Sequence, residues 1–203
     1  MSGFSKTFTL PFESNIPNCT EDFLRNASLL KFKLKYLRRQ IYLTYKKQKS
    51  LEIHSILPKH QKILWINLSA PSLGDSLMDL SSRILLHNKQ VELFTNVKNA
   101  SLYQNDKIFK AVFTKKEELI NFKYDLIIVD SFSTRSIYVK HQIAPRTNYV
   151  GMFGLFNGPE VNRVLFSFNR MNQLLGQIHN KDELNDIAKC TIAISKSDKR
   201  IID

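Results

Sequence analysis

From Lys62 onward, short apolar runs alternate with longer stretches whose apolar residues recur at helical spacing. Ile63 to Leu68 predicts a strand and Asp75 to His87 a helix. Val91 to Thr95 predicts a second strand, Asn99 to Gln104 a short helical stretch, and Ile108 to Phe113 a further strand. Lys115 to Phe122 reads as a helical turn or two. Tyr124 to Asp130 (Y-D-L-I-I-V-D) is a near-continuous apolar run, the pattern of a parallel strand buried on both faces. Ser133 to His141 predicts a helix and Thr147 to Val150 a strand. A loop follows with Gly154, Gly158 and Pro159, then a long helix over Val161 to Ile178. A polar helix over Lys181 to Lys189 precedes a last apolar run, Thr191 to Ser195. Strands separated by helices imply right-handed crossovers, so the expected fold class is α/β: a Rossmann-like parallel sheet with helices on both faces.

Residues 1 to about 20 have few core candidates and read as an irregular arm. Residues 21 to 49 read as a basic amphipathic helix, because no acid falls between Asp22 and Glu52. Leu30, Leu34, Leu37, Ile41 and Tyr45 share one face, and Lys31, Lys35, Arg38, Arg39 and Lys46 an adjacent one; Phe32, Tyr36 and Leu43 lie beyond. Apolar edges around a basic stripe suit a membrane interface with anionic head groups. The same pattern suits a helix packed on its own domain with a solvated basic face. The expected division is an extension over 1–60, a Rossmann-like domain over 61–180, and the start of a second domain over 181–203.

Composition narrows the partners. The sequence carries 30 Lys and Arg against 18 Asp and Glu, a formal net charge of +12, which favours an anionic partner: nucleic acid, an acidic membrane surface or a phosphorylated ligand. Cys19 and Cys190 have no metal or redox spacing, and five histidines show no ligand pattern, so no metal or other cofactor is expected. No basic start followed by an apolar run marks a signal peptide, and no window approaches the ~18 apolar residues of a membrane span. The expected location is cytoplasmic, with peripheral contact to the inner membrane. Charge alone raises nucleic acid as a partner, but no recognition motif accompanies it.

The candidate chemistry lies in the loops after the strands, where open α/β sheets bind ligands. The first strand runs into Ser69-Ala70-Pro71-Ser72-Leu73-Gly74-Asp75. This is neither a P-loop nor a G-x-G-x-x-G turn. Asp75 is placed at the first turn of a helix, where the dipole favours its ionised form. It is a candidate general base, and equally a helix-capping aspartate. After the strongest strand comes Asp130-Ser131-Phe132-Ser133-Thr134-Arg135-Ser136; a guanidinium at Arg135 can hold phosphate or carboxylate, or be a plain surface arginine. A third segment, Arg146 to Gly154, is expected to close one side of the same crevice.

Together these segments resemble the N-terminal half of glycosyltransferase family 9, the ADP-heptose:lipopolysaccharide heptosyltransferases. The similarity covers roughly 62–175 and rests on Ser72-Leu73-Gly74-Asp75, the strand Tyr124 to Asp130, the pair Arg135-Ser136, and Ala144, Arg146, Tyr149 and Gly151. The resemblance implies the acceptor domain of a GT-B enzyme. It implies Asp75 as the catalytic base of an inverting transfer, with Ser72, Gly74, Arg135, Ser136 and Arg146 around an anionic glycolipid acceptor. The donor, a nucleotide-sugar such as ADP-heptose, would be held by a second domain, of which Thr191 to Ser195 would be the first strand. Residues 1–60 are an extension relative to the family, and the family's Gln-Gly pair after the Asp130 strand is replaced by Ser131-Phe132. The alternative is a non-catalytic anion-binding module that keeps the fold.

Overall fold

In the computed structural model, the structure describes residues 29–130, 134–152 and 162–192. Five parallel strands form one sheet in the order β3-β2-β1-β4-β5. They are β1 (Lys62–Asn67), β2 (Gln90–Thr95), β3 (Phe109–Phe113), β4 (Leu126–Val129) and β5 (Tyr149–Gly151). Among the described residues the α-helices are α1 (Leu29–Tyr45), α2 (Leu73–Asp79), α3 (Val97–Ala100), α4 (Thr134–Ile143), α5 (Arg163–Leu174) and α6 (Lys181–Ile187). This is the doubly wound order in which the chain reverses direction across the sheet between β1 and β4, which opens a crevice at their carboxyl ends.

The alternation along β1 divides the core. Ile63 and Trp65 face one layer, where they meet Leu86 and the α5 residues Phe168, Met171 and Leu174. Leu64 and Ile66 face the other, with Ile137 of α4 and Leu43 of α1. All of β1 beyond Lys62, and all of β4, is buried, which explains their unbroken apolar runs.

Several expectations change. The segment 75–87 is not one helix: α2 stops at Asp79 and a 3₁₀ turn over Ser81–Leu86 follows. α1 packs through a different face from the one its main apolar stripe suggests. Leu34, Leu37, Ile41 and Tyr45 are exposed, while Leu43 and Arg39 are buried. Arg39 therefore leaves the set of surface cations. Its guanidinium donates to Glu52 Oε1 at 2.8 Å, and a buried charge is held by such a partner. The side chains of Lys31 and Lys35 lie outside the described residues.

The division at residue 60 cuts through real packing. Ile53 N donates to Tyr149 O at 2.9 Å and Ile56 N to Leu174 O at 2.6 Å, so the segment after α1 is laced to β5 and α5. At the other end Leu184 of α6 sits in the main core, so residues 181–187 complete this domain. Thr191 and Ile192 are exposed and not in a strand; residues 193–195 of the expected strand lie outside the described residues.

Candidate functional site

The loop between β1 and α2 is fixed from three sides. Asp130, at the end of β4, accepts Leu68 N and Ser69 N on Oδ2, both at 2.7 Å, and Ser136 Oγ on Oδ1 at 2.5 Å. Thr95 Oγ1, ending β2, donates to Asn67 O at 2.8 Å. Ser76 Oγ and Tyr103 Oη share a hydrogen bond of 2.9 Å beneath the start of α2. A loop held this way presents its next residues in one geometry. Burial pushes the Asp130 carboxyl up, against the pull of the hydrogen bonds it accepts from Ser136, Ser69 and Leu68.

Ser72 caps α2: its Oγ accepts Asp75 N at 3.1 Å and donates to Asp75 Oδ2 at 2.6 Å. Arg163, in the first turn of α5, closes the site from the opposite side. Its Nη1 donates to Asp75 Oδ1 and its Nη2 to Asp79 Oδ1 at 2.6 Å. The two carboxylates are four residues apart and so share one face of α2. The side chains of Arg163, Asp75 and Asp79 are 34%, 20% and 21% exposed, so all three stay reachable from solvent. α5 is held against α2 by Ser167 Oγ, which donates to Asp79 O at 2.8 Å.

Below this cluster a narrow cavity of about 10 Å³ is bounded by Trp65, Asn67, Asp79, Asp130 and Arg163, together with Met152, Phe166 and Ser167. Two of these lining residues carry buried polar atoms, Trp65 Nε1 and Asn67 Nδ2, without hydrogen-bond partners among the described residues. Burial raises the Asp79 carboxyl to about 6, with Arg163 pulling the other way. The sign follows: a carboxyl raised in the fold contributes stability that is full below about pH 4 and lost as pH rises through about 6. Asp79→Asn removes that loss. Its melting temperature relative to the native chain is expected to be more favourable at pH 8 than at pH 4, read by thermal melts at the two values. A difference that runs the other way would mean that the Arg163 contact outweighs burial.

The residues expected at one crevice are only partly brought together. Asp75 and Ser72 stand at the carboxyl edge as expected. Gly74 is exposed in the first turn of α2, with only Ser72 Oγ near a would-be Cβ, at 3.9 Å, so the fold itself does not demand glycine there. Ser136 is fully buried, and its hydroxyl donates to Asp130 rather than facing the open crevice. Arg135 is exposed at the start of α4 and lines a groove against α1, apart from the Asp75 cluster. Arg146 precedes β5, and in a parallel sheet the amino end of β5 lies at the edge opposite Asp75. It cannot wall the same crevice. Residues 153–161, including Gly154, lie outside the described residues.

Asp79 and Arg163 are the members that sequence reading passed over. The Asp75/Asp79 pair was visible as two acids at helical spacing. The arrival of Arg163, 88 residues later in the chain, depends on α5 lying across α2. Among the described residues, no group of three or more His, Cys, Asp or Glu is arranged to hold a metal ion. Chemically the cluster offers a carboxylate able to take a proton and a guanidinium able to hold an oxyanion. Comparison of the chain with family models, with curated proteins and with solved structures gives no match.

Proposed function

We propose that the chain is the acceptor-binding part of an inverting glycosyltransferase similar to family 9. In this reading it passes a sugar from a nucleotide-sugar such as ADP-heptose to the core of a lipopolysaccharide or lipooligosaccharide acceptor. The observation that carries the reading is the position of Asp75. It ends the S-L-G-D motif at the carboxyl edge of a parallel sheet, beside the reversal between β1 and β4, one-fifth exposed to solvent (20%) and fixed by Ser72.

In the proposed step Asp75 takes the proton of an acceptor hydroxyl. The freed oxygen attacks the anomeric carbon from the face opposite the diphosphate, and the C–O bond to the diphosphate breaks with its electron pair leaving on ADP. Arg163 has two roles. In the free chain it bridges Asp75 and Asp79, one nitrogen on each. An acceptor phosphate or acidic sugar would draw the guanidinium away, because bidentate pairing with an oxyanion competes with the carboxylates. Asp75 then becomes available as base only when an anionic acceptor is present. A second α/β domain of the GT-B type would bring the donor.

The same ion pair favours a second reading, in which Arg163 has become an anion receptor and Asp75 no longer transfers protons. Transfer assays separate the two. The chain, supplied with ADP-heptose, a donor-binding domain of the family and a phosphorylated core acceptor, is expected to give a product inverted at the anomeric carbon by NMR. Acceptor binding without any product would replace transfer by the receptor reading. Neither binding nor product would remove both.

A further inference from the structure

We propose that the groove between α1 and α4 docks this chain on the surface of a bilayer containing anionic phospholipid. The inference stands apart from the transfer chemistry and is tested without it. The groove encloses about 620 Å³. One wall is the outward stripe of α1, where Leu34 is 58% exposed, Leu37 55%, Ile41 61% and Tyr45 76%. The other is formed by Thr134 and Tyr138 of α4, with Tyr138 itself 48% exposed. Four large apolar side chains in succession on one helix face, open to water, form a continuous patch of the kind that marks an interaction site.

The charge around the groove selects the partner. Arg38 and Arg135 line it from either side. Lys46 stands with its Nζ 4.8 Å above the Tyr45 ring, at the end of the stripe. Neither α1 nor α4 carries an aspartate or a glutamate. Aliphatic side chains in the centre, tyrosines beside them and cations on the rim are the arrangement of a helix lying in a membrane interface, its apolar face at the acyl boundary and its cations among head-group phosphates. No helix among the described residues is long and apolar enough to cross a membrane. A second copy would bring its own acid-free helices to the same groove, setting like charge against like. Nucleic acid could stack on Tyr45 and Tyr138, but the exposed Leu34, Leu37 and Ile41 offer it neither stacking nor hydrogen bonds, whereas acyl chains take up all of them.

The test is sedimentation of the full chain with vesicles of mixed phosphatidylglycerol and phosphatidylcholine, compared with phosphatidylcholine alone. Binding to the mixed vesicles is expected, at least ~10-fold tighter than to the neutral ones and weakened by salt. Ile41→Asp and Leu37→Asp are each expected to weaken it by ~10-fold or more. Arg38→Glu combined with Arg135→Glu should abolish the preference for anionic lipid. Because these side chains are exposed, the melting temperatures of the variants should match that of the native chain, which separates lost docking from lost fold. The proposal is overturned by an absence of vesicle binding, or by binding that Ile41→Asp leaves unchanged. It is overturned equally by a dimer that Ile41→Asp dissolves, or by salt-sensitive RNA retention, where either occurs in a chain that does not bind vesicles.

Discussion

Asp75→Asn is expected to lower sugar transfer by about 10²- to 10⁴-fold, the usual worth of a positioned general base, while the chain stays folded. The fold should survive because the partners of Asp75 hold other anchors. Ser72 Oγ still accepts the backbone N–H at 3.1 Å and so still caps α2, and Arg163 keeps Asp79 at 2.6 Å. The lost ion pair is partly exposed and contributes less than ~1 kcal/mol. The effect should fall on kcat, because an asparagine of the same shape still fills the site but cannot take a proton. Arg163→Ala should act differently. It frees Asp75 but removes the acceptor's anion partner, so KM for a phosphorylated acceptor is expected to rise ~10-fold or more, with a much smaller effect on an acceptor lacking phosphate. Asp79 provides the internal control. Its carboxyl, raised to about 6, is the other proton acceptor within reach of Arg163. If Asp79→Asn, and not Asp75→Asn, removes transfer, the base has been assigned one helical turn too early.

The centre of the sheet could be read from the sequence because β1 and β4 are buried on both faces, and such strands leave unbroken apolar runs. Ile127, Ile128 and Val129 are fully buried, alternating between the two core layers, and no other element of that length imposes so strict a composition. The Asp75 loop was legible for the same reason: it follows such a run directly. What was illegible depends on where a helix axis lies. α1 has two apolar edges, and periodicity cannot say which meets the domain; the choice fell to Leu43, beside Arg39, whose charge is met by Glu52. Arg146 looked close to the site because it is close in sequence to residues that follow β5. A parallel strand carries those residues across the full sheet, so Arg146 stays at the far edge. The Arg163 contacts required the packing of α5 on α2, a long-range fact that no local pattern encodes.

Arg83→Met is expected to cost about 3–5 kcal/mol of folding stability, the usual cost of stripping one partner from a buried ion pair. At this chain length that is a fall of roughly 10 °C in melting temperature. Arg83 is 2% exposed, and its guanidinium makes four hydrogen bonds. Nε donates to Asp106 Oδ2 at 2.8 Å, Nη1 to Leu80 O at 3.1 Å, and Nη2 to Thr191 O at 2.7 Å and Thr191 Oγ1 at 3.3 Å. The Asp106 side chain is 5% exposed, so methionine would leave a carboxylate buried opposite an apolar chain. A double variant with Asp106→Asn tests the cause. Asparagine keeps the Oδ1 acceptor that binds Ile108 N at 2.9 Å but removes the stranded charge, so at least half of the lost stability should return. Urea unfolding with an unchanged m-value reads the result. A single-variant loss below ~1 kcal/mol would show that the pair is not desolvated as its burial implies. The consequence reaches the site through packing: the 3₁₀ turn that carries Arg83 also carries Ser82, whose Oγ meets Ser167 Oγ of α5 at 2.8 Å. α5 begins with Arg163, so loosening this turn should widen the spread of Arg163 positions over Asp75 before global unfolding. In Arg83→Met, the amides of α5 should exchange hydrogen faster than those of β4.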